Sequence, residues 1–361
     1  MVIGHGNVAL DCARILVKGR KGLFDTDLVS SAMDILGDGV ADVSIVGRRG
    51  HVQGAFTIKE VRELVKLEEQ GFGVSFVIQT EELDMGETDS SLLELAAPAG
   101  RPKKRINKLL REAASKGKFC DNGLMVDTMK QVLKIVNTFC PRFRYFWAKV
   151  PNDSLTKNIQ CRFLLGPARF ESDEENKERL GAVVFERNRL EGKPGQQHAV
   201  GTGQFETIPA DLALVSVGYK GVALKGTEPW FDVVKGVLRN HHGRVDEATE
   251  STGGSLGGLY AAGWIKRGPS GIIGTNISDA KDTVATIVHD LKGLDGKGGQ
   301  NSSKSGDLKS LLKKRGVSLV AWDGYKRIEE KETSLRRSER QPREKITDLK
   351  FQIEIALASS R

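Results

Sequence analysis

The chain has 361 residues, 39% of them hydrophobic, which is room for two domains of ordinary size with buried cores and excludes a disordered tail. Its 55 basic residues against 47 acidic ones leave a net charge of +8, a fact about partners and solubility rather than about fold. No apolar run approaches the roughly 18 residues of a membrane span, the histidines show no metal-ligand spacing, and the scattered cysteines Cys12, Cys120, Cys140 and Cys161 point to a reducing compartment.

In chain order, Met1 to Ile3 read as a strand ending at a glycine turn. A buried strand before such a turn normally runs about five or six residues, so this one is expected to be cut short. A targeting segment is not expected from the opening residues, which go directly into the glycine turn. From Gly4 the turn feeds a helix whose apolar residues are Val8, Cys12, Ile15 and Leu16. A β-branched strand follows at 42–47, then an amphipathic helix over 57–69 that places Ile58, Val61, Leu64, Val65 and Leu67 inward. Another strand is expected at 74–79. The segment 101–118 holds eight basic residues and one acid, most of the chain's surplus charge. Later strands are expected at 181–185, 212–218 and 259–263, and a helix at 277–291. The Gly, Lys and Ser-rich run 293–307 reads as a flexible linker. The charged tail from Lys309 shows one amphipathic helix near Leu311 and little that could form a core. The expected domains are thus 1–220, 221–292, a linker at 293–308 and an extension at 309–361.

Gly4-x-Gly6-x-x-Ala9 matches the dinucleotide fingerprint: Gly4 permits the tight turn, Gly6 lets backbone approach a pyrophosphate, and Ala9 allows the helix to pack on the sheet. The anion would sit on the helix N-terminus. By itself the motif also has a purely structural reading as a strand–turn–helix corner. The second strand decides more. A protein that binds NAD usually ends it with an acid for the ribose 2′-hydroxyl, whereas here it ends Gly47-Arg48-Arg49-Gly50. Two guanidinium forks suit a 2′-phosphate, so NADP is the expected cofactor; the alternative is a solvated arginine pair in a turn. Gly253-x-Ser255-x-Gly257 matches the nucleophile-elbow pattern but follows a polar stretch and reads as a loop.

The runs Gly4 to Leu16 and Val46 to Glu63, with Ser216-Val-Gly-Tyr-Lys220, Gly263-Trp264 through Asn276, and Pro342-Arg-Glu-Lys345, occur in an order that resembles the NADPH:adrenodoxin (ferredoxin) oxidoreductase family. That resemblance spans nearly the whole chain. It implies an α/β fold, with a Rossmann-like NADP-binding domain and the C-terminal part of an FAD-binding domain, the family's first FAD-binding dinucleotide segment being absent. It also implies FAD and NADP as cofactors, a [2Fe-2S] ferredoxin as electron acceptor and a mitochondrial, matrix-side location. Carried over by motif, pyrophosphate contacts fall on His5, Gly6, Asn7 and Val8, and 2′-phosphate contacts on Arg48 and Arg49. Glu60 matches a glutamate at the nicotinamide end, while residue pattern alone reads it as an exposed helical acid. Trp264, Gly271, Ile272 and Ile273 match contacts to FAD, with Gly271 also near the nicotinamide; without the resemblance Trp264 reads equally as a core aromatic. Asp11 matches a polar network near the flavin, or is a plain helix acid.

Arg62, Arg101 and Arg105 match arginines that dock the acidic ferredoxin, where rim charges steer encounter. The competing readings of the basic segment are a solvated face and a nucleic-acid patch; the second lacks interleaved aromatics for stacking. Two alternatives to the reductase therefore stand: an NADP-binding fragment without FAD-dependent activity, and a basic nucleic-acid-binding module.

Overall fold

A computed structural model describes residues 1–117, 157–246, 258–269, 271, 273–294 and 308–358. The G-x-S-x-G segment 253–257, most of the expected linker, Cys120, Cys140 and Ile272 lie outside the described residues. The chain divides into two compact units, Met1–Val217 with Val320–Arg361, and Gly218–Leu319. The residues of the expected extension 309–361 are thus shared between the two.

The first unit is built on a five-stranded parallel sheet. Its strands are β1 (Val2–Ile3), β2 (Asp42–Val46), β3 (Val74–Ile78), β4 (Lys157–Arg162) and, after the three strands described below, β8 (Leu214–Val215); their spatial order is β3-β4-β2-β1-β8. Every pairing is parallel, and β1 has Ile45 and Leu214 as the partners of Val2 on its two sides. Alternation along the strands sends side chains to two different cores, because neighbouring residues of a strand face opposite sides. Val2, Val43 and Ile45 join the core under the helices, whereas Ile3 and Val46 join Leu165, Val183 and Phe185 on the other face.

The helical face is covered by α1 (Asn7–Leu23), α3 (Ile58–Val65) and α6 (Arg101–Gly117), with α2 (Ser30–Leu36), α4 (Thr80–Gly86) and α5 (Asp89–Ala96) between them. The opposite face carries an antiparallel sheet of β5 (Leu165–Ser172), β6 (Leu180–Glu191) and β7 (His198–Pro209), in that order. Beyond the second unit, α10 (Trp322–Ser334) and α11 (Leu349–Leu357) pack on each other within the first unit.

The second unit holds two short hairpins, β9 (Phe231–Asp232) with β10 (Val237–Leu238) and β11 (Asn240–His241) with β12 (Arg244–Val245), and the helices α7 (Trp264–Arg267), α8 (Ile273–Leu294) and α9 (Leu308–Lys314). Its core is Phe231, Leu238, Val245 and Ala261.

Several elements differ from the sequence reading. The buried stripe of α1 is Ala9, Leu10, Ala13 and Val17, while Val8 and Ile15 face solvent, so the inner face is rotated by about a third of a turn. Small residues let the helix approach the sheet closely, and an apolar count that passes over alanine misplaces the face. The segment 259–263 is no strand; it makes only a single bridge, Tyr260 to Arg244. The tail is not without a core, since Ile346 and Ala356 are buried, as are Glu332 and Gln341.

Candidate dinucleotide site

The turn out of β1 is fixed by glycine chemistry. Gly4 has φ +135°, and a Cβ there would lie 2.0 Å from the Ser216 carbonyl oxygen. Its N–H donates to the Val46 carbonyl at 2.8 Å, which ties the turn to the end of β2. Gly6 is the N-cap of α1, and a Cβ at that position would meet nothing within 4 Å. Open space over a helix N-terminus, with no side chain capping it, is what an incoming phosphate needs. Val8, 53% exposed, lies in the first turn at this mouth.

His5 and Asn7 turn their side chains to other work. The His5 ring packs at a tilt on Phe163, ring centres 4.6 Å apart, and lies against Gly47, where a Cβ would come within 2.4 Å of Nδ1. Burial pushes its pKa down to about 4, so the ring is a neutral wedge between β1 and β2 and its main chain is what faces the turn. Asn7 Oδ1 accepts the Thr57 N–H at 2.7 Å, and the Ala55 N–H donates to the His5 carbonyl at 2.9 Å. The N-termini of α1 and α3 are thereby bound to each other. Glu60, half-buried in the first turn of α3, accepts from the Thr57 hydroxyl. Asp11 pairs with Arg14, which also pairs with Glu63.

Beyond β2, Arg48 and Arg49 are exposed, and neither guanidinium has an ion-pair partner among the described residues. Beside the end of β2, where Arg162 pairs with Val46, lies a charge cluster that the sequence did not announce. Glu82 of α4 is 1% exposed and accepts from Arg162 Nε at 3.0 Å, from Arg187 Nη1 at 2.9 Å and from the Phe163 N–H at 2.7 Å. Glu206 of β7 accepts from Arg162 Nη2 at 2.8 Å and from Arg187 Nη2 at 2.7 Å. Two acids and two arginines from four elements thus close a balanced ring. Nearby, His51 is buried with neither ring nitrogen hydrogen-bonded, its Nε2 3.6 Å from Glu87, and burial lowers its pKa to about 4.

In the second unit, Gly263 has φ +73° and open space where a Cβ would be. Its N–H donates to Asp279 of α8. Lys266, nearly buried, bridges Asp279 at 3.2 Å and Asp282 at 2.8 Å. This anchors α7 on α8 and leaves Trp264 outward, 56% exposed, with the Tyr219 ring 6.1 Å away. Trp264 is therefore not a core aromatic. Gly271 has φ +98° and packs against Thr275 and Arg267; Ile273 opens α8, and Ile272 lies outside the described residues.

The basic segment forms α6, beside α3. Its inner face is Ile106, Leu110, Ala113 and Ala114. Lys103 pairs with Glu94, Lys108 with Glu112 at 3.8 Å, and Arg111 with Glu87 at 2.7 Å. Arg101 and Arg105 are exposed, as is Arg62 on α3, and none of the three has an ion pair among the described residues.

No family model matches the chain. Individual proteins do. NADPH:adrenodoxin oxidoreductase, mitochondrial, of Arabidopsis thaliana is 33% identical over 354 residues, 96% of this chain and 64% of that protein. NADPH-ferredoxin reductase FprA of Mycobacterium tuberculosis is 34% identical over 324 residues, 89% of this chain and 57% of that protein. The structure of Mycobacterium tuberculosis FprA in complex with NADPH aligns with TM-score 0.74 and 33% identity, over 99% of this chain and 67% of that one. The chain belongs to the NADPH:adrenodoxin (ferredoxin) oxidoreductase family. It spans less than two thirds of the length of these curated relatives. The α/β fold with a parallel sheet is that of the family's FprA structures.

Within this family frame, sequence motifs found the glycine turn and the arginine pair but missed Glu82, Arg162, Arg187 and Glu206. The sequence reading places no strand at 157–162, and its strand at 181–185 stops short of Arg187, so nothing marks these charges in advance. A charge on a strand that is covered on both faces needs a partner.

Proposed function

We propose that this chain carries out the NADPH-dependent part of electron transfer from NADPH, through FAD, to a ferredoxin. The observation that carries the reading is the pairing of an open α1 N-terminus at Gly6 with two exposed, carboxylate-free guanidiniums at Arg48 and Arg49. Both fit an NADP molecule. The N–H groups of Gly6, Asn7 and Val8, with the His5 main chain, would hold the pyrophosphate, and Arg48 and Arg49 the 2′-phosphate. Glu60 lies in the first turn of α3, which the Asn7–Thr57 bond fixes against α1, and it would meet the nicotinamide end.

In the second unit the exposed Trp264 ring and the open Gly263 turn fit a flavin, with Gly271, Ile272 and Ile273 as the further contacts that the family pattern implies. FAD, when bound, supplies the conversion of a two-electron donor to one-electron transfer. The chain's own residues bind and orient: the helix N-terminus neutralises phosphate charge, Lys266 and Asp279 hold Trp264 in place, and no nucleophile is required. Arg62, Arg101 and Arg105 are the docking residues for an acidic [2Fe-2S] ferredoxin, since they are exposed cations of α3 and α6 that, like Lys104, have no carboxylate partner among the described residues. A mitochondrial location accords with the plant and fish relatives, which are mitochondrial by name; the mycobacterial ones are not.

The test is calorimetric titration of the full chain with NADP+ and NAD+, followed by reconstitution with FAD and a visible spectrum. Selective binding of NADP+ with a flavin band supports the reading. Equal affinity for the two nucleotides overturns the cofactor assignment, and absence of a flavin band leaves an NADP-binding fragment.

A further inference from the structure

Arg48 and Arg49 owe their placement to strands outside the parallel sheet. The Gly47 carbonyl accepts the Leu165 N–H at 3.0 Å, the Arg49 carbonyl accepts the Leu164 N–H at 3.2 Å, and the Arg48 carbonyl accepts Asn188 Nδ2 at 3.0 Å. Every carbonyl of the loop is thus taken. Two of these donors are main-chain groups at the bend from β4 into β5, where Leu164 sits at φ +58°. The third is a side chain. Asn188 belongs to β6, is 9% exposed, and is itself fixed by its N–H to the Leu164 carbonyl at 2.8 Å. The β6 and β7 ladder slips between Glu186 and Asn188, which gives this residue a place apart from regular pairing. A buried carboxamide aimed at the carbonyl of an exposed arginine has a definite mechanical effect. It stops the Arg48 peptide from rotating between the flanking glycines, Gly47 and Gly50.

We propose that Asn188 is a positioning residue for selectivity between 2′-phosphorylated and unphosphorylated adenosine. The proposal rests on the NADP reading of the site. Long arginine side chains bind a phosphate well only if their Cα atoms are already placed, because ordering a free loop at the moment of binding costs affinity. The antiparallel sheet β5 to β7 then acts as a splint for the specificity loop, although it supplies no residue that touches the nucleotide.

The probes are adenosine 2′,5′-bisphosphate and 5′-AMP, titrated calorimetrically into the full chain. Asn188→Leu keeps volume and removes the donor. It is expected to weaken the bisphosphate roughly tenfold, the scale of one lost hydrogen bond, with 5′-AMP changed less than about twofold. Gly166→Ala is an independent variant that leaves Asn188 in place, since its Cβ would press on Asn188 Nδ2 from 3.0 Å; a smaller loss in the same direction is expected. In an Arg48→Ala background, Asn188→Leu should no longer change the ratio of the two affinities. If both ligands weaken in parallel, or if neither does in Gly166→Ala and Asn188→Leu, the splint is overturned while the NADP reading stands. If the unaltered chain shows no preference for the bisphosphate, both fall.

Discussion

Two pairs of arginines in the first unit do opposite things. Arg162, buried, and Arg187, half-buried, lie against Glu82 and Glu206, each guanidinium bonded to both acids. Arg48 and Arg49 stand in solvent with no acid beside them among the described residues. The side chain is the same; what differs is whether the fold has already satisfied it. A satisfied arginine is structure, and an unsatisfied one on a fixed loop is a binding site waiting for an anion.

That contrast can be broken from either side. Glu82→Ala strips the buried Arg162 and the half-buried Arg187 of their shared acceptor and should cost about 3–5 kcal/mol, read as a fall in the thermal midpoint on the order of 10 °C. Arg48→Ala with Arg49→Ala should leave that midpoint unchanged yet weaken NADPH roughly 100-fold and NADH hardly at all. Equal loss of both nucleotides would contradict the assignment.

Acid supplies a third test, now on the neutral histidines beside the loop. His5 and His51 have pKa values of about 4 in the fold and regain the ordinary 6.5 on unfolding, so the unfolded chain binds the extra protons. Their contribution is complete above pH 6.5, declines as the pH falls toward about 4, and changes no further below that. The full loss is on the order of 3 kcal/mol per histidine. His51→Gln should therefore differ from the parent in thermal midpoint by an amount that changes between pH 7 and pH 4.5; a constant difference would rule the histidine out.

The smallest effect belongs to α6. Arg101→Ala with Arg105→Ala should slow ferredoxin reduction by about threefold to tenfold at low salt, and the difference should vanish near 0.5 M salt. Unchanged rates at low salt would remove the docking role.

The parts of this molecule that could be read from its sequence are those whose cause is local. Gly4 and Gly6 are legible because a tight turn and a close approach demand glycine within a few residues. β2 is legible because Val43, Ile45 and Val46 are a short apolar run closed by Arg48 and Arg49. The buried face of α1 was misread because Ala9 and Ala13 carry little hydrophobic signal, though they are what the sheet packs on. The short bridge at Tyr260 and the ring around Glu82 were not legible at all, since each depends on partners far away in the chain. The site was half visible for the same reason: Arg48 and Arg49 could be named from the motif, whereas Asn188, which holds the Arg48 carbonyl, looks like any other strand residue.

Arg337 carries one more consequence. Its guanidinium donates to the carbonyls of Phe24 at 3.2 Å, Thr26 at 3.2 Å and Leu28 at 2.8 Å, and pairs with Glu344, while Lys345 pairs with Asp27 at 2.9 Å. The loop after α1 is therefore closed by residues translated more than 300 positions later. On the ribosome the first unit begins to form early but has to wait with that loop unsealed while the whole second unit is made, so this seam is where a nascent chain would first be met by a chaperone or a protease.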